Sequence, residues 1–215
     1  MNILANLEKI KPNLQNQVIV AATKSVGVEE IKELVSLGIT NIGENKVQPF
    51  LDKYELLHEL PITWHFIGHL QTNKVKKVIN KIDVLHSLDR ESLAIAIQKE
   101  RITTLNCFLE VNITEESNKT GMNVKEVIEF VNDCQKYDKI CIVGLMTMAT
   151  LTDDESLIEH QFMSLVKLQS EIQALKLENA PTKYLSMGMS NDYLIAIKCH
   201  STHLRLGSIL FRNEE

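Results

Sequence analysis

Short apolar runs alternate with longer amphipathic stretches along the chain, and this alternation constrains the fold more than any other feature of the sequence. The first run, residues 18–24, contains only Val, Ile and Ala before Thr23 and Lys24, as in a strand buried on both faces of a parallel sheet. Eight such runs without consecutive hairpin signals favour an α/β fold, a closed (β/α)8 barrel of the TIM type. An open doubly wound sheet is the alternative. The predicted strands are residues 18–24, 39–43, 62–68, 84–88, 106–113, 140–146, 184–187 and 204–206.

The stretches between these strands have apolar residues at helical spacing. Before the longest of them, Asp153, Asp154 and Glu155 have the residue types of a helix cap and first turn rather than of paired catalytic acids. The predicted helices are residues 2–15, 28–37, 46–60, 71–80, 90–100, 124–136, 155–177 and 191–199.

The composition fits one globular domain spanning residues 1–215. A chain of 215 residues, of which 44% are hydrophobic, can build a substantial core. No Pro-, Gly- or Ser-rich linker divides it. The formal net charge of −5 shows no basic excess, which argues against a dedicated nucleic-acid-binding protein. We therefore expect a small-molecule ligand.

The cysteines and the chain termini bear on the compartment. The polar N-terminal segment, residues 1–11, does not resemble a signal peptide, and no apolar stretch approaches the roughly 20 residues that span a bilayer. The cysteines form no CxxC pair or metal-ligand spacing, so they are interpreted as reduced thiols. We therefore expect a cytoplasmic protein without a membrane or metal site. The cysteines are Cys107, Cys134, Cys141 and Cys199.

Lys24 follows the first strand, and a barrel carries its chemistry at the carboxyl ends of its strands. In apolar surroundings the ammonium form of a lysine is disfavoured, which frees the amine to attack a carbonyl group. This interpretation makes Lys24 a Schiff-base lysine. The alternative, which this stretch alone favours, is that Lys24 ends the strand and points into water.

Glycines and hydroxyl residues follow the last two predicted strands. The segment 186–190 reads Ser-Met-Gly-Met-Ser, and the segment 205–208 reads Arg-Leu-Gly-Ser. Small residues let backbone N–H groups approach phosphate oxygens, and this end of a barrel is the usual place for a phosphate. Each motif alone is also typical of an ordinary turn. Their joint position indicates a phosphate site.

Taken in order, these motifs resemble those of the pyridoxal phosphate homeostasis protein family. The resemblance covers residues 18–211. The motifs are Thr23-Lys24, Gly43-Glu44-Asn45, Trp64-His65-Phe66-Ile67-Gly68, Leu70-Gln71-Thr72-Asn73-Lys74, Gly144-Leu145-Met146, Leu185-Ser186-Met187-Gly188-Met189-Ser190 and Arg205-Leu206-Gly207. The chain departs from the family where Ala22-Thr23-Lys24 replaces the commoner Val-Ser-Lys.

The resemblance implies a fold, a cofactor and a set of binding residues. The fold would be the barrel domain of alanine racemase, fold type III of pyridoxal 5′-phosphate (PLP) proteins, without the second, β-rich domain. PLP would form a Schiff base with Lys24. Arg205 would face its pyridine nitrogen, and Asn45 and His65 would line the pocket. The phosphate would be held by Ser190, Gly207 and Ser208.

Lys119 matches a family loop after the fifth strand. It could hand PLP on or bind it at a secondary site; the alternative is a solvated loop lysine. Apo-enzymes that depend on PLP are the partners that the resemblance implies, and we expect a monomer.

Two functional classes are compatible with these residues. The first is a protein of PLP homeostasis, which holds, buffers or delivers the cofactor. The second is a PLP-dependent amino-acid racemase or decarboxylase of the same fold. A racemase needs an acid or base on each face of the substrate, and a chain of 215 residues lacks the second domain that would supply one of them. We therefore expect a binding protein without multiple-turnover catalysis.

Overall fold

The computed structural model describes residues 2–114 and 120–212, in which parallel strands alternate with helices. Each barrel strand contributes mostly buried side chains, as expected for strands covered on both faces. The strands are β1 (Val18–Ala22), β2 (Asn41–Glu44), β3 (Thr63–Phe66), β4 (Val84–Leu88), β5 (Leu105–Asn112), β6 (Met122–Asn123), β7 (Ile140–Met146), β8 (Tyr184–Ser186) and β9 (His203–Leu206).

Eight of these strands close into a ring. Their order is β4-β3-β2-β1-β9-β8-β7-β5, and pairing of β4 with β5 completes the circle. The two-residue strand β6 pairs with the end of β5, outside the ring, through Val111 and Met122. The prediction of a (β/α)8 barrel is therefore confirmed, and the open doubly wound sheet is excluded.

The helices pack around this ring, and some are shorter than predicted. Short 3₁₀ turns cover Lys11–Asn13, Thr72–Lys74 and Cys134–Lys136. The described helices are α1 (Ile3–Ile10), α2 (Val28–Ser36), α3 (Val47–Leu57), α4 (Val75–Val78), α5 (Glu91–Glu100), α6 (Val124–Asp133), α7 (Glu155–Ala174), α8 (Tyr193–Lys198) and α9 (Ser208–Phe211). None of these is long and apolar enough to cross a membrane.

The beginnings of α7 and α4 differ in whether a side chain caps the helix. The Asp154 carboxylate accepts a hydrogen bond of 3.1 Å from the Leu157 N–H, which confirms the predicted cap of α7. By contrast, the helix predicted over residues 71–80 is only a 3₁₀ turn followed by α4. No side chain caps α4, and Lys74 places a positive charge at its N-terminus, where the helix dipole disfavours it.

The first helix and the last described helix pack together. Ile3, Leu7 and Ile10 of α1 are buried in the core. The side-chain amide of Asn6 donates hydrogen bonds to the carbonyl oxygens of Leu210 (2.9 Å) and Arg212 (3.0 Å). The beginning of the chain is thereby fastened to α9, which follows the last barrel strand.

Candidate functional site

A cavity of about 280 Å³ opens at the carboxyl ends of the barrel strands, beside the loops that follow β1, β7, β8 and β9. This is the face on which barrels of this type carry their sites. Five of the seven predicted site residues line it: Lys24, Ser190, Arg205, Gly207 and Ser208. Residues far apart in sequence therefore meet in one place.

Lys24 lies in the turn after β1, two residues beyond the end of the strand, and its side chain is exposed. One sequence-based interpretation placed it in apolar surroundings, because the run before it is apolar, and the alternative placed it in water at the end of the strand; the exposure agrees with the alternative. The apolar run is buried, but it ends at Ala22, and the turn carries Lys24 to the mouth of the cavity. Its amine is therefore accessible from solvent.

An ion pair between Lys53 and Glu44 holds Thr23, the residue before Lys24. The Thr23 hydroxyl donates to the Glu44 carboxylate at 2.6 Å, and the Lys53 ammonium donates to the same oxygen at 2.6 Å. Lys53 also donates to the Thr23 carbonyl oxygen at 2.7 Å. Because Thr23 and Glu44 are fully buried, these contacts fix the backbone from which Lys24 projects.

The loops after β8 and β9 meet at Ser190. Its hydroxyl oxygen accepts hydrogen bonds from the N–H groups of Gly207 (3.3 Å) and Ile209 (3.2 Å). Ser208 lies between these two donors and also lines the cavity. The site therefore offers two hydroxyl groups beside backbone N–H groups, a set of donors that suits a phosphate.

Gly207 lies against Ala22 at this end of the cavity. A Cβ atom at position 207 would lie 3.4 Å from both the Cβ and the carbonyl oxygen of Ala22, which also lines the cavity. That is ordinary contact, so a small side chain would fit at this position.

Arg205 supplies a buried positive charge at the base of the cavity. Its side chain donates to the Ser186 carbonyl oxygen (2.8 Å), the Ser186 hydroxyl oxygen (2.7 Å) and the Thr147 carbonyl oxygen (2.8 Å). Burial lowers the pKa of Arg205 to about 10, and the nearby carboxyl groups of Asp192 and Glu110 oppose this shift. At neutral pH the group remains a cation and a hydrogen-bond donor.

Asp192 is a lining residue that the sequence-based prediction missed. Its carboxylate accepts a hydrogen bond of 2.5 Å from the Met189 N–H and so shapes the loop that carries Ser190. Burial raises the pKa of Asp192, while the Met189 N–H and Arg205 oppose the rise. The only sequence signal is an acidic residue near the start of the predicted helix 191–199, a position that is also typical of a helix cap.

His65 and Asn45 are not among the residues that line the cavity. His65 is buried inside the barrel at the level of Gly43 and Val84, below the strand ends, where its ring bonds to Asn41 and His86. Asn45 follows β2 and packs its backbone against Gly68; a Cβ at position 68 would lie 2.2 Å from the Asn45 carbonyl oxygen. The geometry therefore does not bring these two predicted residues to the cavity.

Lys119, the predicted secondary lysine, lies outside the described residues. The nearby Thr120 hydroxyl donates to the buried Glu110 carboxylate at 2.5 Å. This bond ties the end of that loop to β5.

The chain is similar to a known domain and to a known group of full-length proteins. The model of the alanine racemase N-terminal domain matches residues 1–214. The chain is 38% identical over 199 residues to the pyridoxal phosphate homeostasis protein of Aquifex aeolicus, covering 90% of this chain and 85% of that protein.

Solved structures agree with this grouping. PipY of Synechococcus elongatus, solved with PLP bound, superposes with a TM-score of 0.89 at 27% identity, covering 98% of this chain and 100% of that one. Alanine racemase from Corynebacterium glutamicum shares the fold at a TM-score of 0.79 and 13% identity; the match covers 99% of this chain and 61% of the racemase. The chain belongs to the pyridoxal phosphate homeostasis protein family, whose barrel is of the alanine racemase N-terminal class.

Proposed function

We propose that this protein binds PLP in the cavity beside Lys24 and holds, buffers or delivers it as part of PLP homeostasis. The observation that carries the proposal is that an amine, a buried guanidinium and a cluster of hydroxyl and backbone N–H donors line one cavity. The function named for the Aquifex relative and the PLP bound in PipY support it.

The donor set fits the three functional parts of the cofactor. PLP supplies an aldehyde that condenses with amines, a pyridine nitrogen and a phosphate dianion. Lys24 offers the primary amine, Arg205 the donor for the ring nitrogen, and Ser190, Gly207 and Ser208 the phosphate contacts. Asp192 orients the loop of Ser190.

Arg205 also bears on catalysis. Since a guanidinium donates and cannot accept, a pyridine nitrogen held by Arg205 would accept a hydrogen bond and stay unprotonated. An unprotonated ring withdraws electrons from a substrate less effectively than a protonated one. This favours a regulatory, PLP-binding role, and we propose that the protein does not turn over amino acids.

The exposure of Lys24 supports delivery of the cofactor. Lys24 is exposed, so an incoming amine can reach it directly. We propose that PLP-dependent apo-enzymes receive PLP from this protein.

In this proposal the chain acts as one PLP-binding domain, residues 1–215, and as a monomer. All four cysteines are unpaired, which suits a reducing compartment, and we propose the cytoplasm.

The experiment is absorption spectroscopy of the purified protein with PLP, followed by borohydride reduction and mass spectrometry. The wild type should show a visible band and a pyridoxyl adduct on Lys24, and Lys24→Ala should lose both. Lys167→Ala, which alters an exposed lysine on α7, is the matched control and should keep them. A pyridoxyl group found only on another lysine, such as Lys119, would contradict the assignment.

A further inference from the structure

A continuous line of hydrogen bonds crosses the barrel interior from Arg205 to Asn41. Arg205 donates to the Ser186 hydroxyl at 2.7 Å, and this hydroxyl lies 2.9 Å from Nδ1 of His86. Nε2 of His86 lies 2.8 Å from Nδ1 of His65, and Nε2 of His65 lies 2.9 Å from the side-chain oxygen of Asn41. Four bonds therefore link the base of the cavity to the beginning of β2.

The chemistry of its two ends fixes the direction of this line. Arg205 can only donate, so the Ser186 oxygen accepts and the Ser186 proton is free to point at His86. At the other end the Asn41 oxygen can only accept, so His65 carries its proton on Nε2. The remaining bond then requires His86 to donate from Nε2. Every bond is satisfied when both rings are neutral and protonated at Nε2.

Burial keeps both rings neutral. His65 is 1% exposed, and His86 and Ser186 are fully buried. Burial lowers the pKa of His65 to about 3, with a smaller effect from His203. Burial also lowers the pKa of His86, helped by the positive charges that His65, Arg205 and His203 would place beside it.

Packing holds the central ring in its orientation. The His86 ring stacks on Phe108 with 4.4 Å between centroids and an angle of 26° between the planes. His203 packs edge-on against Phe108, with 5.1 Å between those centroids, and lies 6.4 Å from the His86 centroid. The two nitrogens of His86 are thereby aimed at Ser186 and His65.

We propose that Ser186, His86 and His65 are positioning residues for Arg205, and that their one-directional hydrogen bonds hold the guanidinium in the orientation that faces the cavity. This inference deepens the proposed function and rests on it for its effect on the cofactor. It also gives His65 a role at the site without contact with the ligand.

The first test needs no cofactor. Long-range ¹H–¹⁵N correlation spectra of the full chain at neutral pH report the tautomer of each histidine. Both His65 and His86 should be neutral with the proton on Nε2. The reversed line of bonds would place protons on Nδ1, so an Nδ1 tautomer or a cationic ring at either position would overturn the proposal.

The second test compares two buried serines. Ser186→Ala removes the link between Arg205 and His86, whereas Ser201→Ala removes an equally buried hydroxyl that donates to the Met187 carbonyl oxygen at 2.7 Å. Rotation of the Arg205 guanidinium about its Cζ–Nε bond, followed by NMR, should become about tenfold faster in Ser186→Ala, as expected for the loss of one charged hydrogen bond. It should be unchanged in Ser201→Ala. Equal rotation rates in the two variants would overturn the proposal.

The third test adds PLP. Ser186→Ala should weaken PLP binding by about tenfold and shift the visible band of the bound cofactor, because the donor at the ring nitrogen is no longer held. Ser186→Thr restores a hydroxyl and should recover the position of the band; Ser201→Ala should leave it in place. If the wild type fails to bind PLP, the proposed function is wrong, while the tautomers and the rotation rates still decide the role of the line. Binding and a band that are identical in Ser186→Ala and the wild type would overturn the positioning role.

Discussion

The Lys53 ammonium lies 2.6 Å from the Glu44 carboxylate, and Glu44 is fully buried. The other carboxylate oxygen of Glu44 has no hydrogen-bond partner among the described residues. Lys53 is therefore the cation that compensates a charge removed from water, and the pair supports the turn that carries Lys24.

Removing Lys53 should destabilise the protein strongly. Lys53→Met leaves the Glu44 carboxylate buried without a cation, and we expect the free energy of unfolding to fall by about 3 kcal/mol. Urea titration measures this change. Lys32→Met breaks the exposed pair with Glu29 (2.8 Å) and should change the stability little. Equal losses in both variants would show that the burial of Glu44 does not matter.

A negative charge at the phosphate end should weaken PLP selectively. Ser208→Asp places a carboxylate beside the proposed phosphate contacts, and repulsion together with a lost charged hydrogen bond should weaken PLP binding tenfold or more. Fluorescence titration with PLP and with pyridoxal separates the causes. Pyridoxal, which lacks the phosphate, should bind almost equally well to both proteins, and Ser208→Asn serves as the uncharged control. Equal losses for both ligands would point to damage of the fold instead.

Amino acids should not be turned over. On the proposed function, L-alanine should exchange slowly, if at all, with the Lys24-bound cofactor and should give no D-alanine over many turnovers. Chiral chromatography after long incubation, with Lys24→Ala as control, measures this for alanine and the other common amino acids. Sustained turnover that depends on Lys24 would restore the racemase or decarboxylase hypothesis.

Acid should destabilise the barrel through His203, a half-buried histidine inside it. Burial lowers the pKa of His203 to about 4, whereas an unfolded histidine titrates near 6.5. As the pH falls from 6.5 to 4, the unfolded chain gains a proton that the folded chain does not, so stability is lost in this window. In His203→Gln the free energy of unfolding should fall less steeply across this window, by about 1.4 kcal/mol per pH unit, than in the wild type.

Urea titrations at pH 7, 6, 5 and 4 test this dependence on pH. His160→Gln, which changes an exposed histidine on α7, should keep the dependence of the wild type. A parallel pH dependence in His203→Gln and the wild type would show that His203 does not titrate differently in the two states.

The periodicity of the sequence was sufficient to predict the barrel, whereas the seven candidate site residues were named as a set from the family resemblance. Parallel strands bring their carboxyl ends to one face, so Lys24 and Arg205 could be placed together although 181 positions separate them. The exposure of Lys24 agrees with the alternative that the stretch itself favoured, in which the lysine ends the strand and points into water; the apolar surroundings were wrong because the strand ends at Ala22. The location of His65 was not predictable, because which side chains meet inside a barrel depends on the register between strands.

Short elements also escaped prediction. The strand β6 has two residues and α9 has four, too few for a period of 2 or 3.6 to be visible. Yet α9 begins with Ser208, at the end of the cavity where the phosphate is proposed to bind. The hydrogen bond between Ser190 and the Ile209 N–H could not be predicted either, because Ile209 lies in α9, which is too short to show a periodicity.

The contact between α1 and α9 couples the beginning of the chain to the proposed phosphate site. The side-chain amide of Asn6 donates to the carbonyl oxygens of Leu210 and Arg212. The N–H groups of Gly207 and Ile209, which donate to Ser190, lie just upstream in the same segment. A ligand that binds beside Ser190 and Ser208 and stabilises α9 also stabilises, by thermodynamic reciprocity, the docking of α1. Amide hydrogen exchange in residues 3–10 should therefore slow when PLP binds, so the first helix of the chain reports the occupancy of a site built largely by the last residues of the barrel.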